Sequence, residues 1–136
     1  RFVGDNLWSR DDTRWMGAIR SVMANEEEKV PEVDRYNAGQ KLVFWGMTWL
    51  ILILFFSGLV IWDAYFATYT AIETKRIAVL VHSVAAAAII WVWIVHVYAS
   101  LWVRGTVRGM MRGSVTAGWA WRHHRKWLRA MARGER

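Results

Sequence analysis

Cysteine is absent from this chain of 136 residues, and proline occurs only once. Without cysteine the chain cannot form disulfides, thiolate zinc sites or cysteine-held iron–sulfur clusters. A single proline and ten glycines disfavour the many tight turns of an all-β sandwich. Hydrophobic residues make up 55% of the sequence, which excludes a disordered chain. We therefore predict an all-α fold.

Charge is absent from two long stretches. There are 21 uncharged residues between Lys41 and Asp63, and 27 between Arg76 and Arg104. At a rise of about 1.5 Å per residue, roughly 20 residues cross the hydrocarbon core of a bilayer. Both stretches are apolar on all sides, whereas a core helix of a soluble domain carries a polar stripe. The sequence therefore predicts a membrane protein with two transmembrane helices, at residues 42–62 and 77–103.

The charges outside these spans are unevenly distributed. Residues 1–41 carry seven Lys and Arg against eight Asp and Glu, residues 63–76 carry two of each, and residues 104–136 carry nine against one. Because basic segments stay inside, we expect residues 104–136 to form a basic cytoplasmic tail and residues 63–76 a periplasmic loop. Two crossings return residues 1–41 to the cytoplasm. The net charge of +7 is then expected to interact with the membrane surface, and no nucleic-acid partner is expected.

The N-terminal segment contains an amphipathic stretch. Trp15, Ile19 and Val22 share one helical face behind Asp11 and Asp12, which are plausible helix caps. This pattern predicts an interfacial helix lying on the membrane surface.

The tail predicts interfacial structure at the other end of the chain. Residues 104–113 repeat Arg and Gly every four positions, which favours a lipid-anchoring arginine stripe, with close glycine packing against another helix as the alternative. The following tryptophans and basic residues favour a basic interfacial helix in which His123 and His124 are solvated.

Two histidines lie inside the second span. His82 and His96 are its ionisable residues, and they are 14 positions apart, which places them about 21 Å apart along a helix and roughly 40° apart around it. Imidazoles buried in lipid need a function or a partner, and a low-spin haem takes two of them, from facing helices. We predict that each ligates one haem, with small residues at 83 and 85–88 leaving room for the porphyrin. Hydrogen bonding to a neighbouring helix and a proton relay are the alternatives, although neither span contains Asp or Glu.

Two haems with bis-imidazole ligation need four histidines, and this chain offers two within the membrane. The other two are expected from a symmetric second copy or from two further helices that precede this sequence.

Several strings resemble one family. They are RYNAGQK before the first span, GLVIWDAYF at its end, LVHSVAA and WIVHVYASLWVRG in the second span, and KWLRA after the double histidine. In this order and spacing the chain resembles the cytochrome b (gamma) subunit of respiratory formate dehydrogenase over essentially its whole length, most densely from Arg35 to Gly113.

The resemblance implies a four-helix diheme bundle in the bacterial inner membrane, with two b haems per full-length subunit. This chain would be its C-terminal portion, so a missing N-terminal half would supply two helices and the other haem ligands. His82 would hold the haem nearer the outside and His96 the haem nearer the cytoplasm. The double histidine departs from the family pattern, because Arg125 stands where proline is common.

The resemblance also implies a menaquinone or ubiquinone site beside the cytoplasmic haem. Its residues would be Asn37, Ala38, Gly39 and Gln40. A quinone carbonyl needs hydrogen-bond partners, and glycine permits close approach. Taken alone, the same four residues indicate a turn and a helix cap.

The implied function is electron transfer in anaerobic respiration. Formate would be oxidised outside by a molybdenum- or tungsten-containing alpha subunit, and electrons would pass through an iron–sulfur beta subunit and the two haems to quinone. Formate oxidation itself would not occur on this chain. The alternatives are a diheme anchor of a hydrogenase or thiosulfate reductase, and a haem-free membrane anchor in which both histidines bridge helices.

Overall fold

Helices account for most of the computed structural model, which describes residues 2–24 and 26–135, with all of their side chains except those of residues 2, 27 and 67. Every regular element in these ranges is helical, which confirms the all-α prediction. Two single 3-10 turns lie at Glu27–Lys29 and Ala67–Tyr69. The α-helices are α1 (Phe2–Asp5), α2 (Arg10–Gly17), α3 (Ile19–Met23), α4 (Ala38–Ile61), α5 (Ile72–Trp102), α6 (Thr106–Arg112), α7 (Ala117–His123) and α8 (Arg125–Ala132).

Helices α4 and α5 contain the two apolar stretches. Their 24 and 31 residues span about 36 and 46 Å, so both are long enough to cross a membrane. Only 6% and 11% of their most apolar windows are buried within the described chain. A core helix of a soluble protein would be mostly buried, so these surfaces are suited to lipid or to other membrane helices.

The chain divides into two compact units. One, the membrane unit, comprises Val43–Ala99, and the other, the terminal unit, combines Arg1–Leu42 with Ser100–Arg136. In the membrane unit, one face of α5 is covered while residues such as Leu80 and Trp91 are 65% and 70% exposed. The covered face repeats every three or four residues, as expected of one face of a helix. We call it the inner stripe: Ala78, His82, Ala85, Ile89, Val92 and His96.

The terminal unit begins with a capped helix. The Ser9 hydroxyl accepts from the backbone N–H of Asp12, and the Asp12 carboxylate accepts from the backbone N–H of Ser9, so α2 starts with a capping box. Trp15 then packs with Val33 and Ala38 in a small core, against which Ile19 and Val22 also lie. The apolar face that the sequence assigned to the membrane surface is thus covered by the chain itself.

The tail helices pair with the N-terminal segment of the same unit. Lys126 Nζ lies 2.6 Å from the Asp11 carboxylate, and Arg129 lies 2.7 Å from the Glu32 carboxylate. These exposed pairs contribute at most about 1 kcal/mol each. They nevertheless join residues 115 and 97 positions apart, so the two ends of the chain form one folded body.

The arginine–glycine repeat is not a continuous helix. Gly105 and Gly113 have φ of +92° and +66° and are the N-cap and C-cap of α6, so the helical part of the repeat is limited to Thr106–Arg112. A Cβ on Gly105 would lie 2.8 Å from Trp119 Cδ1, and the Trp119 indole donates to the Arg104 carbonyl at 2.9 Å. Gly105 and Gly109 thus pack closely against Trp119 and Val115, as in the alternative interpretation, whereas a Cβ on Gly113 would meet nothing within 4 Å.

Candidate functional site

His82 contacts the neighbouring membrane helix through one ring nitrogen. Its Nδ1 lies 3.0 Å from the Ser57 hydroxyl, and that hydroxyl lies 2.6 Å from the Ile53 carbonyl oxygen. A carbonyl only accepts, so the serine proton points at Ile53 and the hydroxyl accepts from Nδ1–H. The remaining nitrogen, Nε2, therefore carries the lone pair that a metal requires.

The surroundings of His82 fit an axial ligand of haem. Histidines that bind metals almost always donate their other N–H to an acceptor, and Ser57 is such an acceptor here. Small residues follow on α5, where Ala85 is buried and Ala87 is exposed. Gly58 lies beside the imidazole itself, because a Cβ there would meet His82 Cε1 at 3.5 Å. Gly58 thus makes room for the imidazole ring of His82.

His96 lies on the same helix and the same face as His82. Helix α5 runs without a break from Ile72 to Trp102, so the 14-residue separation corresponds to about 21 Å along one axis. Both histidines are half-buried members of the inner stripe. The structure thus places the two predicted ligands on the covered face of one apolar helix.

The predicted quinone motif forms the start of α4. The Gln40 backbone N–H donates to Asn37 Oδ1, and the Asn37 backbone N–H donates to Gln40 Oε1, each at 2.9 Å. This reciprocal cap is the helix cap that the four residues indicate when they are taken alone. The cap uses both amide oxygens. The two amide NH2 groups do not take part in it and can donate hydrogen bonds to a quinone carbonyl.

The middle residues of the motif are packed in the terminal unit. Ala38 has no exposed surface and belongs to the core with Trp15 and Val33. A Cβ on Gly39 would lie 3.3 Å from Asn37 Oδ1 and 3.4 Å from the Trp15 ring. Ala38 therefore anchors the backbone of the motif in the core, whereas Asn37, Gly39 and Gln40 are half-buried.

A buried ion pair follows the motif immediately. Lys41 Nζ lies 2.8 Å from the Asp12 carboxylate and donates to the Leu7 carbonyl at 2.9 Å, and the two side chains are 7% and 4% exposed. Burial alone would raise the pKa of Asp12, but hydrogen bonds from Lys41 and Ser9 outweigh it and hold the pKa below its ordinary value. Both residues line a polar cavity of about 190 Å³. Sequence reasoning did not find this pair, because 29 positions separate the partners.

One of the two tail histidines is buried, contrary to the prediction that both are solvated. His124 is 4% exposed, its Nδ1–H donates to the Asp34 carbonyl at 2.7 Å, and its ring stacks on Trp119. Burial lowers the pKa of His124, and the hydrogen bond to Asp34 offsets only part of this effect. His124 therefore packs as a neutral structural residue of the terminal unit.

Comparison with protein families identifies a match over most of the chain. The family model described as prokaryotic cytochrome b561 matches residues 2–113 of the chain. The match covers α1 to α6, including both histidines of the inner stripe and the capping motif of α4.

Curated relatives are also similar over most of this chain. The chain is 46% identical over 129 residues to the formate dehydrogenase, cytochrome b556(fdo) subunit of Escherichia coli strain K12, covering 95% of this chain and 60% of that protein. It is 37% identical over 135 residues to the nitrate-inducible, cytochrome b556(Fdn) subunit of the same strain, covering 99% and 62%. The cytochrome b556 subunit of formate dehydrogenase from Haemophilus influenzae is 36% identical over 124 residues, covering 91% and 52%. These similarities confirm the resemblance predicted from the sequence, although the chain spans only about three-fifths of the first two relatives.

Proposed function

Because the chain belongs to the prokaryotic cytochrome b561 family, we propose that it is a membrane-embedded cytochrome b subunit of a formate dehydrogenase, as its relatives are named. The observation that carries this proposal is the pair of histidines, His82 and His96, on the covered face of one apolar helix. Ionisable groups inside lipid are costly, and two of them facing one way call for a shared function.

His82 and His96 each supply one axial ligand to a haem b. When bound, these haems supply one-electron transfer. The chain's part is to hold two imidazoles at a fixed spacing of about 21 Å, which the uninterrupted hydrogen bonding of α5 maintains. Each low-spin haem of this type takes two imidazoles, so two more are needed besides His82 and His96.

The chain transfers electrons from the outer to the cytoplasmic side of the inner membrane. The basic tail and the motif at the start of α4 lie in the cytoplasm, and residues 63–76 face the periplasm, because lysine and arginine are concentrated in segments that stay inside. The donor is the iron–sulfur beta subunit of the complex, which receives electrons from a molybdenum- or tungsten-containing alpha subunit that oxidises formate. Each electron moved inward works against roughly 2.3 kcal/mol per 100 mV of membrane potential.

Menaquinone or ubiquinone binds at the α4 cap on the cytoplasmic side and receives the electrons there. The amide NH2 groups of Asn37 and Gln40 are donors, and their oxygens are already engaged in the cap. A quinone carbonyl accepts hydrogen bonds, so the chemistry of the two partners is complementary. Gly39 lies between them, and as a glycine it lets the Trp15 ring pack close to the backbone.

A haem determination on the purified complex tests this function. The pyridine haemochrome assay, calibrated against the amount of this subunit, is expected to give two haem b per full-length copy. A colourless complex would overturn the proposal and favour a haem-free anchor.

Replacing Asn37 with Asp or Ser is expected to raise the KM for quinone about tenfold, because one hydrogen bond worth roughly 1.4 kcal/mol is lost. Both replacements keep an oxygen that can cap the backbone N–H of Gln40, so α4 still begins at the same point. Steady-state quinone reduction by the complex measures the effect.

The control for Asn37 is the reduced-minus-oxidised haem spectrum of each variant, which is expected to match that of the unmodified complex. Unaltered quinone kinetics in both variants would remove Asn37 from the site.

A further inference from the structure

Ser57 is the hydroxyl that contacts the imidazole of His82, and the two side chains belong to the same membrane unit. We propose that Ser57 is a positioning residue, which fixes the ring orientation of His82 and tunes its strength as a haem ligand. This inference rests on the proposed function, since it concerns the nitrogen opposite the one that would face iron.

The hydroxyl of Ser57 has a hydrogen-bond acceptor without His82. It already donates to the Ile53 carbonyl at 2.6 Å, with the Leu54 carbonyl at 3.3 Å, which is the usual way in which serine is satisfied within a membrane helix. The additional contact at 3.0 Å therefore serves the imidazole. It gives Nδ1–H an acceptor in a region where water is not available.

The position of Ser57 restricts the ring. Ser57 is 8% exposed, and the imidazole also lies against Gly58, where a Cβ would be 3.5 Å from Cε1 and 3.8 Å from Nδ1. The hydrogen bond to Ser57 and the close contact with Gly58 thus restrict the orientation of the ring. A ligand held in this way is ready to bind before the metal arrives.

The hydrogen bond also changes the electronic character of the ligand. An acceptor at Nδ1–H increases the basicity of Nε2, so the imidazole donates more strongly to iron and stabilises the ferric state. Loss of the acceptor weakens this donation. The midpoint potential of the His82 haem should therefore rise when Ser57 is removed, while that of the His96 haem should not change.

Potentiometric titration of the purified complex tests the proposal. Ser57→Ala is expected to raise the midpoint potential of the His82 haem and to speed transfer of that haem to apomyoglobin about 10- to 100-fold, the usual effect of removing such a partner. Ser57→Thr keeps the hydroxyl and should restore both values. If Ser57→Ala does not assemble, Ser57→Cys, with its weaker acceptor, should give a smaller shift in the same direction.

Thr48→Val is the matched control. Thr48 also lies on α4 and donates to the carbonyl four positions back, that of Phe44, at 2.8 Å, so removal of its hydroxyl should leave both potentials unchanged. His82→Ala identifies which haem belongs to His82. If His82→Ala retains both haems, the proposed function fails. If His82→Ala loses one haem while Ser57→Ala titrates like the unmodified complex, only the positioning role of Ser57 is overturned.

Discussion

Replacing His82 with alanine is expected to remove one of the two haems from the complex, and replacing His96 is expected to remove the other. Alanine has no lone pair to offer iron, and each haem would then keep a single imidazole. Reduced-minus-oxidised spectra at low temperature should lose a different component of the b-type absorption in each variant, with about half of the total intensity lost in each.

His123→Ala is the control for these two variants, because it replaces a histidine outside the apolar helices. It should retain both haems. His82→Met covers the case in which His82→Ala fails to assemble, since methionine also ligates haem iron and raises the potential relative to histidine. Full haem content in both His82→Ala and His96→Ala would end the assignment of ligands.

Asp12→Asn is expected to destabilise the terminal unit by about 3–5 kcal/mol, because it leaves the Lys41 ammonium buried without its carboxylate. Asparagine keeps an oxygen that can accept from the backbone N–H of Ser9, so the effect comes from the lost charge. Hydrogen–deuterium exchange in α2 and at the start of α4 should quicken by a factor of roughly 100 to several thousand.

The neighbouring carboxylate provides the comparison for this variant. Asp11 pairs with Lys126 at 2.6 Å, but the two side chains are 37% and 53% exposed, so Asp11→Asn should cost less than about 1 kcal/mol. The double variant Asp12→Asn with Lys41→Met should recover much of the loss, because it leaves no unpaired charge. Equal exchange rates in Asp11→Asn and Asp12→Asn would contradict the account.

The same ion pair determines how the terminal unit responds to acid. The folded pKa of Asp12 lies below its ordinary value of 3.8. The contribution of Asp12 to stability is therefore complete above that pH and is lost as the pH falls through the folded pKa.

The membrane helices and their histidines were predictable because their signals are local. Charge-free length alone identifies α4 and α5, and the spacing of His82 and His96 follows from the geometry of a single helix. Neither inference needs to know which residues distant in sequence come together. The cap at Asn37 and Gln40 is equally local, since it joins residues three positions apart.

The terminal unit was not predictable, because long-range pairing decides it. Trp15 has the same apolar face whether lipid or Val33 covers it, and periodicity cannot tell these two coverings apart. The sequence around His124 is rich in charges and suggests a solvated residue, whereas in the structure its ring N–H donates a hydrogen bond to the Asp34 carbonyl, 90 positions away. Ser57 could have been singled out from the sequence, because it is one of only two hydroxyl residues in the first apolar stretch.

The central claim is that His82 and His96 each bind the iron of a separate haem, and near-infrared magnetic circular dichroism of the oxidised, intact complex tests it most directly. This method identifies the axial ligands of ferric haem. The account predicts bis-imidazole ligation for two haems in each full-length subunit. A haem with a methionine or thiolate ligand, or a spectrum without any haem, would contradict it.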